Sequence, residues 1–290
     1  MGTERTMPTV TIGGYTIRGL RDGSFRLDGG AIFGIVPKVV WQRGCPADDE
    51  NRVPLGLHPL LIEGHGRRIL VETGLGDRYD ATFAARFAVD RPSSLLASLA
   101  AIGVAPDSID TVVNTHLHWD HAGGNVVGEP AEPALAFPNA RYVAQSVEWA
   151  DASSPHERNR ASYRPEDFAP LAAAGRLDLV DGDAEIADSV HVERVGGHCR
   201  GLQIVRVTSG SQTLVFPSDL IPSAAHVEYA WVMGYDLYPV DVLERKKELL
   251  ARAAREGWIV ALYHDPVRAF GRVEIERSRG RERVSFEPIG

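Results

Sequence analysis

Three histidines and one aspartate are crowded into six consecutive positions of the chain. They form the pattern His-x-His-x-Asp-His, with His116, His118, Asp120 and His121, and we name this run the metal box. So short a run cannot present four side chains on one face of a helix or strand, but a tight turn after a strand can converge them on two adjacent cations. The metal box therefore predicts a two-metal hydrolytic site.

Three further candidate ligands, His198, Asp219 and His264, each follow an apolar run with the character of a strand. Loops at strand ends supply exposed groups while the strands fix their position, so ligands collect there in α/β proteins. With the metal box, the candidate set comprises five histidines and two aspartates. Cys199 stands beside His198, and we interpret it as a small buried side chain rather than as a ligand.

Two metals would make this site hydrolytic. A water shared by two divalent cations loses its proton near neutral pH and becomes a metal-bridging hydroxide, while one metal polarises the substrate's carbonyl or phosphoryl oxygen. Asp120 is the expected catalytic residue, because it can orient this nucleophile and carry a proton to the leaving group. We expect a lactone or ester to be cleaved. Nitrogen and oxygen ligands suit Zn2+, and Mn, Fe or Co are open alternatives.

The elements that must position these residues alternate between strands and helices. One helix is expected at residues 93–102, with Gly103 as its stop, and another at residues 241–256, with a capping box at Asp241 and Glu244. Strands are expected at residues 15–20, 58–63, 68–72, 111–115, 190–195, 203–207, 213–216 and 258–262.

Composition narrows the possible partners. The 290 residues are 44% hydrophobic, which is enough for the large core of a single domain spanning 1–290. Lys+Arg 31 against Asp+Glu 39 gives a net charge of −8, so no nucleic-acid partner is expected. No apolar run of about 18 residues predicts a membrane span, and residues 1–8 lack the apolar stretch of an export signal. With only two cysteines, a cytoplasmic location is expected.

Two apolar segments, at about 29–58 and 222–240, are interpreted as lids over the site. Their large side chains are expected to line a cleft for a small-molecule substrate with an apolar portion, although the same residues equally suit an ordinary core. An exposed apolar lid also suits the contact surface of a homodimer. The candidate substrate-binding residues are Phe33, Trp41, Tyr229, Trp231, Met233 and Tyr235.

The metal box and four other runs resemble motifs of the metallo-β-lactamase-fold hydrolases, in the same order along the chain. The other runs lie at 70–77, 197–201, 216–219 and 263–264. The resemblance implies an α/β (α+β) fold built as a four-layer αββα sandwich. Within the superfamily, the chain is most similar to the branch of acyl-homoserine lactonases and organophosphate hydrolases, which favours a quorum-quenching type of lactonase.

The resemblance also implies which side chains hold each metal and which residue supports them. Glu72 stands where relatives commonly have Asp, a residue that supports the metal site through a hydrogen bond, and its extra methylene could shift that bond. The implied assignment is His116, His118 and His198 for one metal, Asp120, His121 and His264 for the other, and Asp219 as the bridge.

Other functions are compatible with parts of this pattern. A phosphotriester or other ester hydrolase of the same fold would use the same ligands, and a mononuclear iron oxygenase acting on a persulfide would use fewer. A nuclease is disfavoured by the lack of a basic stretch suited to a phosphate backbone, and a ligand-sensing protein by the full ligand set. Asp22 and Asp77 are interpreted as turn or capping residues. The remaining histidines are interpreted as surface or structural residues: His58, His65, His156, His191 and His226.

Overall fold

The computed structural model describes residues 8–278 and 281–289. Most of the segment 1–8, on which the expected lack of an export signal depends, lies outside the described residues. The described strands, numbered in chain order, are β1 Thr9–Ile12, β2 Tyr15–Gly19, β3 Ser24–Asp28, β4 Arg52–Gly56, β5 Leu60–Gly64, β6 Arg67–Val71, β7 Thr111–Val113, β8 Val126–Val127, β9 Ala134–Leu135, β10 Arg141–Gln145, β11 Leu177–Val180, β12 Ala184–Ala187, β13 Val190–Arg194, β14 Gln203–Ser209, β15 Gln212–Phe216, β16 Ile259–Ala261, β17 Phe270–Ser278 and β18 Arg281–Pro288.

The helices are mostly short. Among the described residues, no helix is long and apolar enough to cross a membrane. The α-helices are α1 Gly29–Phe33, α2 Lys38–Trp41, α3 Ala81–Arg86, α4 Leu95–Ala101, α5 Trp119–Ala122, α6 Ser146–Ser153, α7 Pro165–Ala173 and α8 Pro239–Glu256. Single 3-10 turns are formed by Pro106–Ser108, Gly123–Asn125, Arg160–Ser162, Ser218–Leu220 and Ala224–Val227.

Two seven-stranded sheets form the inner layers of the fold. The first has the strand order β1-β2-β5-β6-β7-β10-β11, and the second has the order β12-β13-β14-β15-β16-β17-β18. In the first sheet, β6, β7, β10 and β11 pair in parallel, and in the second β15 pairs in parallel with β16. The strands that precede the candidate ligands, β7, β13, β15 and β16, therefore all lie inside their sheets rather than at an edge.

Three buried clusters define four layers. The largest lies between the sheets, where Val71 of β6 and Phe216 of β15 belong to one core. The second joins the outer face of the first sheet to helices, with Leu70 and Leu99 as members. The third places Leu250 of α8 against the outer face of the second sheet. The predicted αββα sandwich is confirmed.

Burial on both faces explains why the strands appear as continuous apolar runs. In β6, Ile69 and Val71 face the core between the sheets, whereas Leu70 faces the helical layer. A strand covered on both faces needs apolar side chains at every position, unlike a strand with one wet face. All eight predicted strands are present, with ends shifted by one or two residues.

Both predicted helices are confirmed with shifted bounds. α4 begins after Ser94, whose side chain accepts a hydrogen bond from the backbone N–H of Ala97. α8 begins at Pro239, two residues before Asp241, so the predicted capping box is wrong. Proline suits the first helical position because its ring presets φ and the N–H that it lacks would have no helical partner there. Gly257 ends α8 in the left-handed conformation, with φ 66°.

Asp22, which we interpreted as a turn or capping residue, is buried and accepts hydrogen bonds from backbone N–H groups of two other segments. Its fully buried carboxylate pairs with Arg91 at 2.5 Å. The same carboxylate accepts backbone N–H groups of Leu75 and Leu95, each at 2.8 Å. It therefore ties the turn after β6 to the start of α4.

Candidate metal centre

The metal box lies in the turn between β7 and α5 and is held against the turn that follows β6. The backbone N–H of Thr73 donates to the carbonyl of His121 at 2.9 Å. A Cβ atom at Gly124 would lie 2.2 Å from the carbonyl oxygen of Thr73, so only glycine allows this approach. The strand end and the glycine pair after the box together fix the direction of its side chains.

One group of three histidines converges at the box. Nδ1 of His118 lies 3.0 Å from Nε2 of His116 and 3.1 Å from Nε2 of His198. All three rings are buried. His198 comes from the turn after β13, so both sheets contribute to this group. One nitrogen from each of the three rings is close enough to the others to share a cation.

A second group forms beside the first. Nε2 of His264 lies 3.2 Å from Nε2 of His121 and 3.5 Å from Oδ2 of Asp120. Asp120 Oδ2 lies 3.8 Å from His121 Nε2. These three ligand atoms also meet the spacing required around a single cation.

Asp219 spans the two groups with its two oxygens. Oδ2 lies 3.3 Å from Nε2 of His198 and 4.0 Å from Nε2 of His116. Oδ1 lies 3.4 Å from Nε2 of His121 and 3.3 Å from Nε2 of His264. The structure therefore brings all seven predicted ligands together, with one carboxylate oxygen directed at each group.

The chemistry of these groups fits two divalent cations. Three ligand histidines have their outer nitrogen against an oxygen that only accepts hydrogen bonds, so that nitrogen donates its N–H and a neutral ring turns its lone pair inward. These outer pairs are His121 Nδ1 with Glu72 Oε1 at 3.1 Å, His198 Nδ1 with Asp236 Oδ1 at 2.8 Å, and His264 Nδ1 with the carbonyl of Gly56 at 2.9 Å. Inward lone pairs and carboxylates repel one another unless cations lie between them.

The electrostatics of the site also favour positive charge. Burial, together with the neighbouring histidines, lowers the pKa of His116 well below its ordinary value. Burial acts in the same direction on His121, but Asp219, Asp120 and Glu72 outweigh it and raise the pKa of that ring well above the ordinary value. The carboxylates thus create a strongly negative potential where the second group converges.

Glu72 supports the site although it is one methylene longer than the aspartate that the family resemblance leads one to expect there. Its buried carboxylate contacts His121 and accepts hydrogen bonds from the hydroxyl and the backbone N–H of Thr115. The residue adopts φ 64°, a left-handed conformation that costs a non-glycine residue about 1–2 kcal/mol. The hydrogen bond to the ligand is therefore kept, and the local backbone carries the strain.

Asp236 is a functional residue that the sequence interpretation missed. It is buried, its Oδ1 contacts His198, and its Oδ2 accepts the backbone N–H of Met233 at 2.8 Å. It lies in the predicted lid segment 222–240, and only the folding of that segment brings it to His198. A lone aspartate in such a segment carries no spacing signal.

The Asp236→Asn variant is expected to weaken metal binding or activity by about 10–100-fold, because a ligand histidine loses the carboxylate that orients it. Metal titration of chelator-treated protein measures this loss. Asp151→Asn is the control. Asp151 pairs with Arg200, which follows the ligand His198 by two residues, in a partly exposed ion pair that does not contact the ligands. Equal metal affinity in the wild type and Asp236→Asn would contradict this role.

An apolar cavity of about 230 Å³ opens above the metal centre. Five of the predicted ligands reach its wall, and so do Met233 and Tyr235 of the six candidate substrate-binding residues. The described lining residues are Leu27, Ile32, Leu55, Phe87, His118, Trp119, Asp120, Ala161, Ser162, His198, Asp219, Met233, Tyr235 and His264.

The structure places the other four candidate residues elsewhere, which corrects the sequence expectation. Phe33 and Trp41 are buried and stack at 5.1 Å, and Trp231 meets the edge of Phe33 at 5.5 Å. The hydroxyl of Tyr229 donates to Glu282 at 3.3 Å, near the end of the chain. Phe33, Trp41 and Trp231 thus pack on one another where the two predicted lid segments meet, and they do not line the cavity.

Sequence reasoning also missed part of the wall. Leu27 and Leu55 come from the antiparallel pair β3 and β4, and Phe87 follows α3. Trp119 lies inside the metal box itself and is surrounded by Phe25, Phe83 and Phe87. The position of Trp119 between two ligands was the one sequence signal for this part of the wall. The places of the other wall residues depend on long-range packing.

Two of the remaining histidines are buried structural residues. Nε2 of His58 contacts the carbonyl of Asp265 at 2.9 Å. His226 contacts the hydroxyl of Ser223 at 2.7 Å and the carbonyl of Ile32 at 3.0 Å. Burial lowers the pKa of each of these two rings to about 4. Neither side chain belongs to the metal groups.

His226 is expected to make the fold sensitive to acid. Its folded pKa of about 4 lies below the ordinary 6.5, so its contribution to stability is present above about pH 6.5 and is lost as the pH falls toward 4. Between about pH 7 and pH 5 the wild type should lose about 2 kcal/mol of unfolding free energy through this ring. His226→Gln should lack that loss in urea unfolding, whereas the exposed control His156→Gln should keep it. An equal pH dependence of the unfolding free energy in His226→Gln and the wild type would rule out this role of His226.

The sequence matches the Metallo-beta-lactamase superfamily over residues 58–264. This span contains the metal box and the three later ligands, and the αββα layers agree with it. The chain therefore belongs to the metallo-β-lactamase superfamily, and it is a metal-dependent hydrolase.

Several relatives share most of the chain. N-acyl homoserine lactonase AttM of Rhizobium johnstonii is 27% identical over 256 residues, which cover 83% of this chain and 92% of that protein. The structure of a probable metal-dependent hydrolase from Staphylococcus aureus aligns with a TM-score of 0.87 at 28% identity, covering 97% and 99% of the two chains. AidC, a dizinc quorum-quenching lactonase in complex with a product, aligns with a TM-score of 0.79 at 20% identity over 98% of both chains, and shows the fold alone.

Proposed function

We propose that the chain is a dinuclear, zinc-dependent lactonase that opens acyl lactones with an apolar tail. The observation that carries this proposal is the placement of Asp219, whose oxygens lie within 3.4 Å of a histidine of each group. This paired arrangement lies at the base of an apolar cavity. The first site would be held by His116, His118 and His198, the second by Asp120, His121 and His264, with Asp219 between them.

The side chains at the site divide the chemistry of ring opening. Two divalent cations held there would lower the pKa of a water and polarise the lactone carbonyl. The backbone carbonyl of Asp120 accepts a hydrogen bond from the hydroxyl of Tyr263 at 2.6 Å, which fixes the residue, while its carboxylate lines the cavity. That carboxylate can take the proton of the attacking water and deliver it to the leaving alkoxide.

The cavity wall supports an uncharged substrate. None of the described lining residues is a lysine or arginine, so the wall offers no cationic side chain to an anionic group. Leu27, Leu55, Phe87 and Trp119 instead present apolar surface to a tail. Lactonases are also among the relatives that cover most of the chain.

The test is hydrolysis by the zinc-loaded protein of a medium-chain acyl-homoserine lactone, an aryl ester and a phosphotriester. We expect ring opening of the lactone at a kcat/KM at least about tenfold above the other two, with loss of activity after chelation and recovery with zinc. A higher kcat/KM for the phosphotriester would show that the protein is a hydrolase but not a lactonase. Lactone opening that survives complete metal removal would reject the mechanism.

A further inference from the structure

A buried lysine lies behind the wall of the cavity, outside the metal centre. Lys246 on α8 is fully buried, at a position shared on the helix face with Val242, Leu250 and Ala253. Its Nζ donates to the backbone carbonyl of Glu228 at 3.0 Å and to that of Trp231 at 2.7 Å. The ammonium therefore joins α8 to two points of one loop.

That loop supplies part of the site. Residues 228–236 carry Met233 and Tyr235, which line the cavity, and end at Asp236, which contacts His198. The N–H of Met233 donates to Asp236 at 2.8 Å, so the wall and the support of the ligand belong to one hydrogen-bonded turn. A displacement of the loop at Trp231 would therefore move both the cavity wall and Asp236.

A lysine at this buried position is unfavourable unless its ammonium holds the loop in place. The apolar pattern of the inner face of α8 suits leucine or methionine, and an ammonium loses its hydration on burial. Burial lowers the pKa of Lys246 to about 8, against the attraction of Asp236 and Glu228. An apolar side chain would avoid this cost but would leave two loop carbonyls without their donor.

We propose that Lys246 is a positioning residue that holds the loop 228–236 in place and thereby sets the cavity wall that receives the substrate's apolar tail. It acts on the substrate through Met233 and Tyr235 and touches neither substrate nor metal, and any effect that reaches His198 through Asp236 is one on metal affinity, which zinc loading saturates. The kinetic part of this inference rests on the proposed lactonase function, whereas the loop-holding part does not.

The test compares Lys246→Met with Lys247→Met in the zinc-loaded enzyme. Lys247 is the next residue of α8, it is half-buried, and its Nζ lies over the Tyr229 ring at 5.8 Å, so its variant makes the same chemical change beside the same loop without removing a donor to the loop carbonyls. Amide hydrogen exchange across 228–236 should accelerate about tenfold in Lys246→Met and remain at the wild-type rate in Lys247→Met. KM for a decanoyl lactone should rise about tenfold in Lys246→Met, with kcat changed less than about threefold.

A butanoyl lactone provides a further comparison, because its short tail meets less of the wall, and its KM should change less than that of the decanoyl lactone. If Lys246→Met does not fold, Lys246→Gln keeps an N–H donor with less reach and should show the same pattern at smaller size. Unchanged exchange and unchanged KM in the folded variants would overturn the proposal, as would equal loss of kcat for both lactones. If the wild type opens no lactone, the proposed function fails, and the exchange data still decide whether Lys246 holds the loop.

Discussion

The Asp219→Asn variant is expected to lose the ability to hold two metals and to lose nearly all activity. Each oxygen of Asp219 is directed at a different histidine group, and an amide offers one acceptor oxygen and one N–H donor instead of two anionic oxygens. Metal affinity should fall more than about 100-fold, beyond the 10–100-fold expected when only an outer partner of a ligand is lost. Elemental analysis after desalting and kcat/KM measure the two effects.

The control for this variant is Asp181→Asn, because the Asp181 side chain is 81% exposed and pairs with Arg194 at the surface. It should keep two metals and wild-type activity. Circular dichroism shows whether Asp219→Asn is folded, so that metal loss is separated from unfolding. A folded Asp219→Asn protein with two tightly held metals would show that this carboxylate is not the bridge.

The Asp120→Asn variant is expected to lower kcat by about 10²–10⁴-fold, the size of a lost general acid or base. Asp120 belongs to the second group and lines the cavity, so its carboxylate can both hold a cation and move a proton. Asparagine has nearly the same shape but does not carry the proton. We expect the first group to keep its metal, because His116, His118 and His198 are unchanged.

Kinetics at a saturating metal concentration separates the two roles of Asp120. If the carboxylate only holds the metal, excess zinc should restore kcat to Asp120→Asn, whereas a lost proton carrier should leave kcat low with both sites filled. We expect the second result. A lactone with a better leaving group should narrow the deficit, since its alkoxide needs less protonation. Full activity in the metal-saturated variant would exclude Asp120 as the proton carrier.

The ligands were predictable because their signal is local. The metal box packs four ligands into six positions, and Asp219 and His264 each follow an apolar run that forms a buried strand. His198 follows β13, in which buried valines alternate with partly exposed polar residues. The strands were predictable for the same reason, since a strand covered on both faces is continuously apolar. Short-range pattern was enough to place the ends of these strands near one another.

The cavity wall was less predictable because it depends on how loops pack on one another. Phe33, Trp41 and Trp231 have the composition of a binding cleft, yet they pack together and leave the wall to residues such as Phe87. Asp236 has no ligand spacing, and its contact with His198 arises only when the loop folds back. Lys246 lies on the apolar face of α8, between Val242 and Leu250, but a lysine in that face does not show in the sequence which loop carbonyls it will contact.

Elemental analysis of protein purified without chelator shows whether the chain holds two metals in one site. We expect about two equivalents of zinc or of another divalent metal per chain in the wild type, and at most one in Asp219→Asn. A wild-type protein that holds a single iron and binds no second metal on titration would contradict the dinuclear centre and point to oxygenase chemistry instead.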